Sequence, residues 1–190
     1  MTFLNAKKTF LSKPDKSNAG EVDEAIRPLV SLLNSKKSYY TTSSCAGRIL
    51  LLKEEGKTGR RRPTHHFFVR HDQVSLQELL KAVKNPPQEE IFFHMEGMIL
   101  HVCCESLEAA ECLLDLARDA GLKRSGIISL RKKIMVELID TQRLDLPVAR
   151  EGKLLVPEDY LDYLLQEANK KLKETRKKIE KFTKACVALE

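Results

Sequence analysis

Along this chain the apolar positions switch between two spacings. Phe3, Leu4, Phe10 and Leu11 pattern a short amphipathic N-terminal helix, and Val22, Ile26, Leu29, Val30 and Leu33 recur at helical spacing after it. Pro28 interrupts that second run. Its ring removes an N–H and crowds the preceding turn, so the helix is expected to kink or to start late. The pattern then becomes β-prone. Tyr39–Ser44 and Arg48–Lys53 predict strands on either side of a small-residue corner, and His65–Arg70 predicts a third. Residues 54–63, with Gly56 and Gly59, predict a loop. Ser75 with Glu78 has capping-box spacing and predicts a helix over Ser75–Asn85, stopped by Asn85-Pro86-Pro87.

A second cycle follows. Glu90–Met95 and Met98–Cys104 predict strands joined at Glu96-Gly97, and Leu107–Ala120 predicts a helix closed by Gly121 in the left-handed conformation. Arg124–Lys132 and Ile134–Thr141 predict two more strands, with Leu154–Val156 a candidate short extended piece. Val156-Pro157 opens a last helix over residues 157–186, whose apolar stripe is Leu161, Leu164, Leu165, Ala168, Leu172, Ile179 and Phe182. The order predicts an α+β fold in a single domain, residues 1–190. Two strand-rich repeats, about 36–88 and 89–156, would share one curved, barrel-like sheet, with helices packed outside and a long basic C-terminal helix.

Hydrophobic residues make up 42% of the 190 positions and charged residues 32%, which excludes an intrinsically disordered chain. No apolar run approaches the roughly 18 residues a membrane helix needs. Met1–Leu11 carries Lys7 and Lys8 and lacks the apolar core of a signal peptide, so a cytoplasmic protein is expected. The five cysteines are odd in number and form no Cys-x-x-Cys pair, so free thiols are expected. The net charge of +6 favours a polyanionic partner.

The most informative stretch is Tyr39-Tyr40-Thr41-Thr42-Ser43-Ser44-Cys45-Ala46-Gly47-Arg48-Ile49. Its small residues would let backbone N–H groups approach a ligand, Gly47 permits a positive φ, and Arg48 offers a planar fork suited to phosphate or carboxylate. An ordinary hairpin with a surface arginine is the competing reading. Other motifs are weaker. Gly56-Lys57-Thr58 lacks the glycine that a phosphate loop needs five positions earlier, where Leu51 stands, and no dinucleotide fingerprint occurs. His101, Cys103, Cys104 and Cys112 lack the paired spacing of a zinc site, so no metal is expected. Cations cluster at Arg60-Arg61-Arg62, at Lys123-Arg124, at Arg131-Lys132-Lys133 and along the last helix, where Lys170, Lys171, Lys173, Arg176, Lys177, Lys178, Lys181 and Lys184 face only Glu174 and Glu180. Such a one-signed excess suits a phosphate-tracking surface. With no Trp, the candidate stacking rings are Tyr39, Tyr40 and Phe67.

The informative stretch resembles the signature of the tRNA wybutosine-synthesizing protein 3 family, with Ala46 where that family usually has Ser. Further blocks stand in the same order. They are Asp15-Lys16-Ser17 with Gly20-Glu21-Val22-Asp23, His71-Asp72, Glu96 with Ile99-Leu100-His101-Val102, Gly121-Leu122-Lys123-Arg124-Ser125-Gly126-Ile127, Leu144-Asp145-Leu146-Pro147 and Ala168-Asn169-Lys170-Lys171. They run from Asp15 to Phe182, nearly the whole chain.

The resemblance implies an S-adenosylmethionine-dependent methyltransferase of the wyosine pathway. Its acceptor would be a ring nitrogen of the demethylated tricyclic base made from guanosine 37 of phenylalanine tRNA, and its partner the anticodon stem-loop. It places His101, Arg48, Ser44 and Cys45 as catalytic candidates. Ser43, Ser44, Gly47, Ser125, Gly126 and His71 are candidates for the cofactor, lining one pocket. Arg60, Arg61, Arg62, Arg131, Lys132, Lys133, Lys170 and Lys171 are candidates for the tRNA. The chain departs from the family pattern at Gly97, usually Pro, at Ile139-Asp140, usually Arg-Ser, and at Thr175, usually Asn. A non-catalytic RNA-binding paralogue is the alternative reading.

Overall fold

The computed structural model describes residues 2–12, 22–54 and 64–189. Its elements run α1 (Phe3–Leu11), α2 (Arg27–Ser35), β1 (Tyr39–Cys45), β2 (Arg48–Glu54), β3 (Thr64–Arg70), α3 (Leu76–Val83), β4 (Glu90–Glu96), β5 (Ile99–Cys104), α4 (Leu107–Asp119), β6 (Gly126–Ser129), β7 (Ile134–Ile139), β8 (Arg143–Arg150), β9 (Lys153–Leu154) and α5 (Glu158–Ala185). This is an α+β fold with the long C-terminal helix the sequence predicts. The strands, expected in one curved sheet, hydrogen-bond as two antiparallel sheets, β1-β5-β7-β6 and β3-β2-β4-β8-β9. β1 pairs with β5, and β2 with β4, so the small-residue corner is not a hairpin turn. It is a crossover between two compact units, Met1–Ala46 with Met98–Thr141 and Thr175–Glu190, and Gly47–Gly97 with Gln142–Glu174. The units interleave along the chain and do not follow the consecutive segments 36–88 and 89–156.

In the first unit, Pro28 gives a late start. A 3-10 turn at Glu24–Ile26 precedes α2, and Pro28 sits in its first turn, where a missing N–H costs nothing. Alternation along the strands sends Leu100, Val102, Val136 and Leu138 to one side of the sheet. There they pack with Leu29 and Leu33 of α2, Leu113 and Ala117 of α4, and Ile179 and Phe182. Burying each of the larger side chains contributes roughly 1.5–3 kcal/mol. Helix α4 ends as predicted, with Gly121 at φ 96° and the Leu122 N–H on the Ala117 carbonyl at 2.8 Å. On the opposite face, α1 lays Phe3 and Phe10 on Tyr40, with ring centroids 5.4 and 5.5 Å apart.

In the second unit, Ser75 and Glu78 form the capping box of α3. Ile49, Leu51, Phe93 and Met95 pack with Leu79 of α3 and with Leu161, Leu164, Leu165, Ala168 and Leu172 of α5. Strand β8 is absent from the sequence pattern because Pro147 sits inside it and proline disfavours a central strand. A register shift between Ile91 and Phe92 accommodates the ring, so Pro147 faces Phe92 and Ala149 faces Ile91. The predicted stripe of α5 is buried throughout, and it divides between the two cores after Leu172.

Candidate functional site

On the face of the first sheet away from its core, the ladders align one residue from each strand. Ser43 stands opposite His101, His101 opposite Glu137, and Glu137 opposite Gly126. Neighbouring strands lie about 4.8 Å apart, so this is a continuous cross-strand row. His101 Nε2 and Glu137 Oε2 are 3.0 Å apart, with 29% and 30% of the side chains exposed, so both can be reached by a ligand. An ionised Glu137 fixes the tautomer with the proton on Nε2 and leaves Nδ1 as the basic nitrogen. Tyr40, Cys103 and Met135 form the row on one side, and Cys45, Ile99 and Ile139 the row on the other. Three of the residues singled out in the sequence, Ser43, His101 and Gly126, thus stand together. Glu137 was missed. Its signal is one acid in the apolar strand Ile134-Met135-Val136-Glu137-Leu138-Ile139.

The other candidates in this unit are placed differently. Ser44 stands opposite Leu100, one register position away from the His101 row. The Ser125 hydroxyl accepts the Ile139 N–H at 3.1 Å, stitching the turn before β6 to the end of β7. The Ala46 N–H donates to Asp23 Oδ2 at 2.7 Å, and its carbonyl accepts from the Arg176 guanidinium. The backbone polar groups of Ala46 therefore serve the unit itself. Tyr39 and Tyr40 are only 2% and 0% exposed, which rules them out as stacking platforms and corrects that expectation. The Tyr39 hydroxyl donates to the Ala109 carbonyl at 2.9 Å, and burial pushes its pKa up to about 12.

In the second unit Gly47 has φ 97°, and a Cβ there would lie 2.8 Å from the Glu96 carbonyl oxygen. Arg48 follows on β2 and donates from Nε to Glu96 Oε2 at 2.7 Å. Glu96 also faces Arg143 across the ladder, and Arg143 reaches Asp145 at 2.6 Å. The other oxygen of Asp145 meets His94 Nδ1 at 3.1 Å. His94 is buried, and its Nε2 has no hydrogen-bond partner among the described residues. His66 has its pKa lowered, first by burial and then by the Arg48 charge, against an opposing pull from Glu96. His71 lies in the bend after β3. That bend is held by the Asn169 amide, which takes the Val74 N–H at 3.0 Å and donates to the Val74 carbonyl at 2.8 Å.

Much of the cationic surface of α5 is engaged internally. Lys178 pairs with Asp140, Lys181 caps the Asp119 carbonyl at the end of α4, Lys184 pairs with Glu180, and Lys170 and Lys171 reach Glu167 and Gln142. Arg131, Lys132 and Lys133 are exposed. Arg60, Arg61 and Arg62 lie outside the described residues.

The sequence matches the family described as Methyltransferase TYW3 over residues 5–188. The chain belongs to this family. It is 36% identical over 178 residues to the tRNA(Phe) 7-((3-amino-3-carboxypropyl)-4-demethylwyosine(37)-N(4))-methyltransferase of Methanocaldococcus jannaschii, covering 93% of this chain and 92% of that protein. It is 38% identical over 183 residues to the human tRNA wybutosine-synthesizing protein 3 homolog, covering 95% and 70%. Its fold is similar to that of the PH1069 protein of Pyrococcus horikoshii, with a TM-score of 0.89, 34% identity, and 99% and 97% of the two chains covered.

Membership in the Methyltransferase TYW3 family makes the chain an enzyme and requires a methyl donor. Among the described residues no helix is long and apolar enough to cross a membrane. Within the first unit, the half-exposed Glu137 carboxylate has the charge to face an ammonium or sulfonium cation.

Proposed function

We propose that this chain transfers the methyl group of S-adenosylmethionine to N4 of the demethylated wyosine-type base at guanosine 37 of phenylalanine tRNA, and that it does so while holding the anticodon stem-loop. The reading is carried by the family match over residues 5–188 together with the name of the Methanocaldococcus jannaschii relative. The His101–Glu137 pair gives it chemistry.

S-adenosylmethionine supplies an electrophilic methyl group on a sulfonium. Methylation of the 4-demethyl base would form an N–C bond as the S–CH3 bond breaks, with its electron pair left on the thioether sulfur of S-adenosylhomocysteine, and the ring N–H proton would leave. His101 takes this proton on Nδ1, and Glu137 orients the ring and steadies the imidazolium through Nε2. Ser43, next in the same row, is a hydroxyl contact for the base or the donor. Gly126, at the far end, leaves room for backbone approach. Cys45 and Ser44 are neighbours of this row rather than proton carriers. Arg48 binds a carboxylate or phosphate through the nitrogens that Glu96 does not occupy, and His71 is a contact for the donor. The phosphate backbone is met by Arg131, Lys132 and Lys133, with Lys170 and Lys171 as further contacts and Arg60, Arg61 and Arg62 candidates by sequence alone.

The test is to incubate the purified protein with S-adenosylmethionine and phenylalanine tRNA carrying the demethylated tricycle, then digest the tRNA and weigh its nucleosides. The base should gain one methyl, and unmodified tRNA should gain none. Binding of tRNA without any methyl gain would leave the RNA-binding paralogue as the correct reading.

A further inference from the structure

The hairpin of β6 and β7 combines features that the methyl-transfer row does not use. From Gly121 to Val136 the sequence carries five cations and no acid: Lys123, Arg124, Arg131, Lys132 and Lys133. All five are exposed, and among the described residues none forms a salt bridge, while the Lys133 ammonium lies over the Tyr40 and Phe10 rings at 5.3 and 5.9 Å. Between them stand Ile127, Ile128 and Leu130, exposed at 39%, 53% and 59%. β6 is the edge of its sheet. Its register shifts between Ile127 and Ser129, so Ile128 falls in a bulge outside the ladder, a device that turns a side chain outward at a sheet edge. An exposed apolar edge strand is an association hazard, and a folded chain does not normally leave one uncovered.

We propose that this hairpin is an RNA-docking element. Ile128 and Leu130 lie against the faces of unstacked bases in a single-stranded loop, while the flanking cations hold the phosphates on either side. The inference rests on the tRNA reading above and adds to it the apolar contacts. RNA is the occupant favoured by charge. A second copy pairing along β6 would set five cations against five like charges, whereas a polyanion releases counterions from each phosphate they meet. Aliphatic side chains are known wedges between bases, and here they supply what the chain's few exposed aromatic rings do not. A base that must be methylated has to leave its stack, and contacts that favour unstacked neighbours assist that.

The test is the affinity for phenylalanine tRNA at several KCl concentrations, for the wild type and for two double variants. Ile128→Ser with Leu130→Ser should weaken binding about tenfold at every salt concentration and leave the salt slope unchanged. Arg131→Ala with Lys132→Ala should flatten the slope by roughly one for each cation removed. Wild-type binding by the aliphatic variant, once its thermal transition is shown to match the wild type, would overturn the proposal. So would concentration-dependent dimerisation of the wild type that this variant abolishes. Methyl transfer by the wild type is read separately. Its absence would remove the proposed activity and leave the hairpin result standing, and the reverse combination would remove only the hairpin.

Discussion

The hydroxyl of Thr175 donates to the Asp140 carboxylate at 2.6 Å, and the Lys178 ammonium reaches the other oxygen of that carboxylate at 2.6 Å. Asp140 and Thr175 are buried, and both belong to the first unit. An acid after β7 and a hydroxyl on α5 are thus bonded to each other. A carboxylate with no solvent-exposed side-chain surface needs its donors, so this pair ties α5 to the end of β7.

Thr175→Val keeps the shape and removes the hydroxyl. It should cost about 1–3 kcal/mol, the usual penalty for leaving a buried acceptor short of a donor. Lys178→Met should cost more, because it takes a cation away from a buried carboxylate. Combining Thr175→Val with Asp140→Ala should cost less than the sum of the single changes. Urea unfolding of the single and double variants checks all three statements.

Two glycines give opposite expectations. Gly47→Ala puts a methyl group 2.8 Å from the Glu96 carbonyl oxygen at a positive φ, and should destabilise by more than about 1 kcal/mol. A Cβ added at Gly126 would meet nothing within 4 Å. Gly126→Ala should therefore leave the thermal transition unchanged and lower methyl transfer, if the open space at the end of the Ser43–His101–Glu137 row admits a ligand. Thermal unfolding and single-turnover transfer, measured on both variants, separate the two roles.

His66 provides a pH signature. Burial and the Arg48 charge favour its neutral form in the folded protein, so its folded pKa lies below the ordinary value of about 6.5. Below that value the unfolded chain binds more protons than the folded one. The His66 contribution to stability is thus complete above about pH 6.5 and is lost as the pH falls through the lowered folded pKa. Arg48→Ala removes a repelling cation and leaves Glu96 without its partner, and both effects raise the His66 midpoint. NMR titration of the imidazole in the wild type and in Arg48→Ala should show that upward move.

What the sequence made legible followed from local rules. Pro28 delayed α2, Ser75 and Glu78 capped α3, Gly121 closed α4, and the spacing of Leu161 to Phe182 gave α5 its buried stripe. What it hid was pairing. Ala46-Gly47 looks like a hairpin turn by composition, yet it carries the chain from β1, which pairs with β5, to β2, which pairs with β4. β8 was hidden by Pro147, because the bulge beside it, with Val148 as the extra residue, shows only in the pairing with β4. Of the candidate site, Ser43, His101 and Gly126 were visible by resemblance. Glu137 was not, since only the register of β7 against β5 brings it beside His101. The charge run of α5 was visible, and its internal partners Asp140, Asp119 and Glu180 were not.

The most direct test of the account is single-turnover methyl transfer to phenylalanine tRNA carrying the demethylated base, comparing the wild type with His101→Gln while S-adenosylmethionine and tRNA affinities are measured on both. Transfer by the wild type, with a loss of at least about 100-fold in His101→Gln and unchanged affinities, is the predicted result for a residue that moves the proton. An equal rate in the two proteins would contradict the His101–Glu137 site.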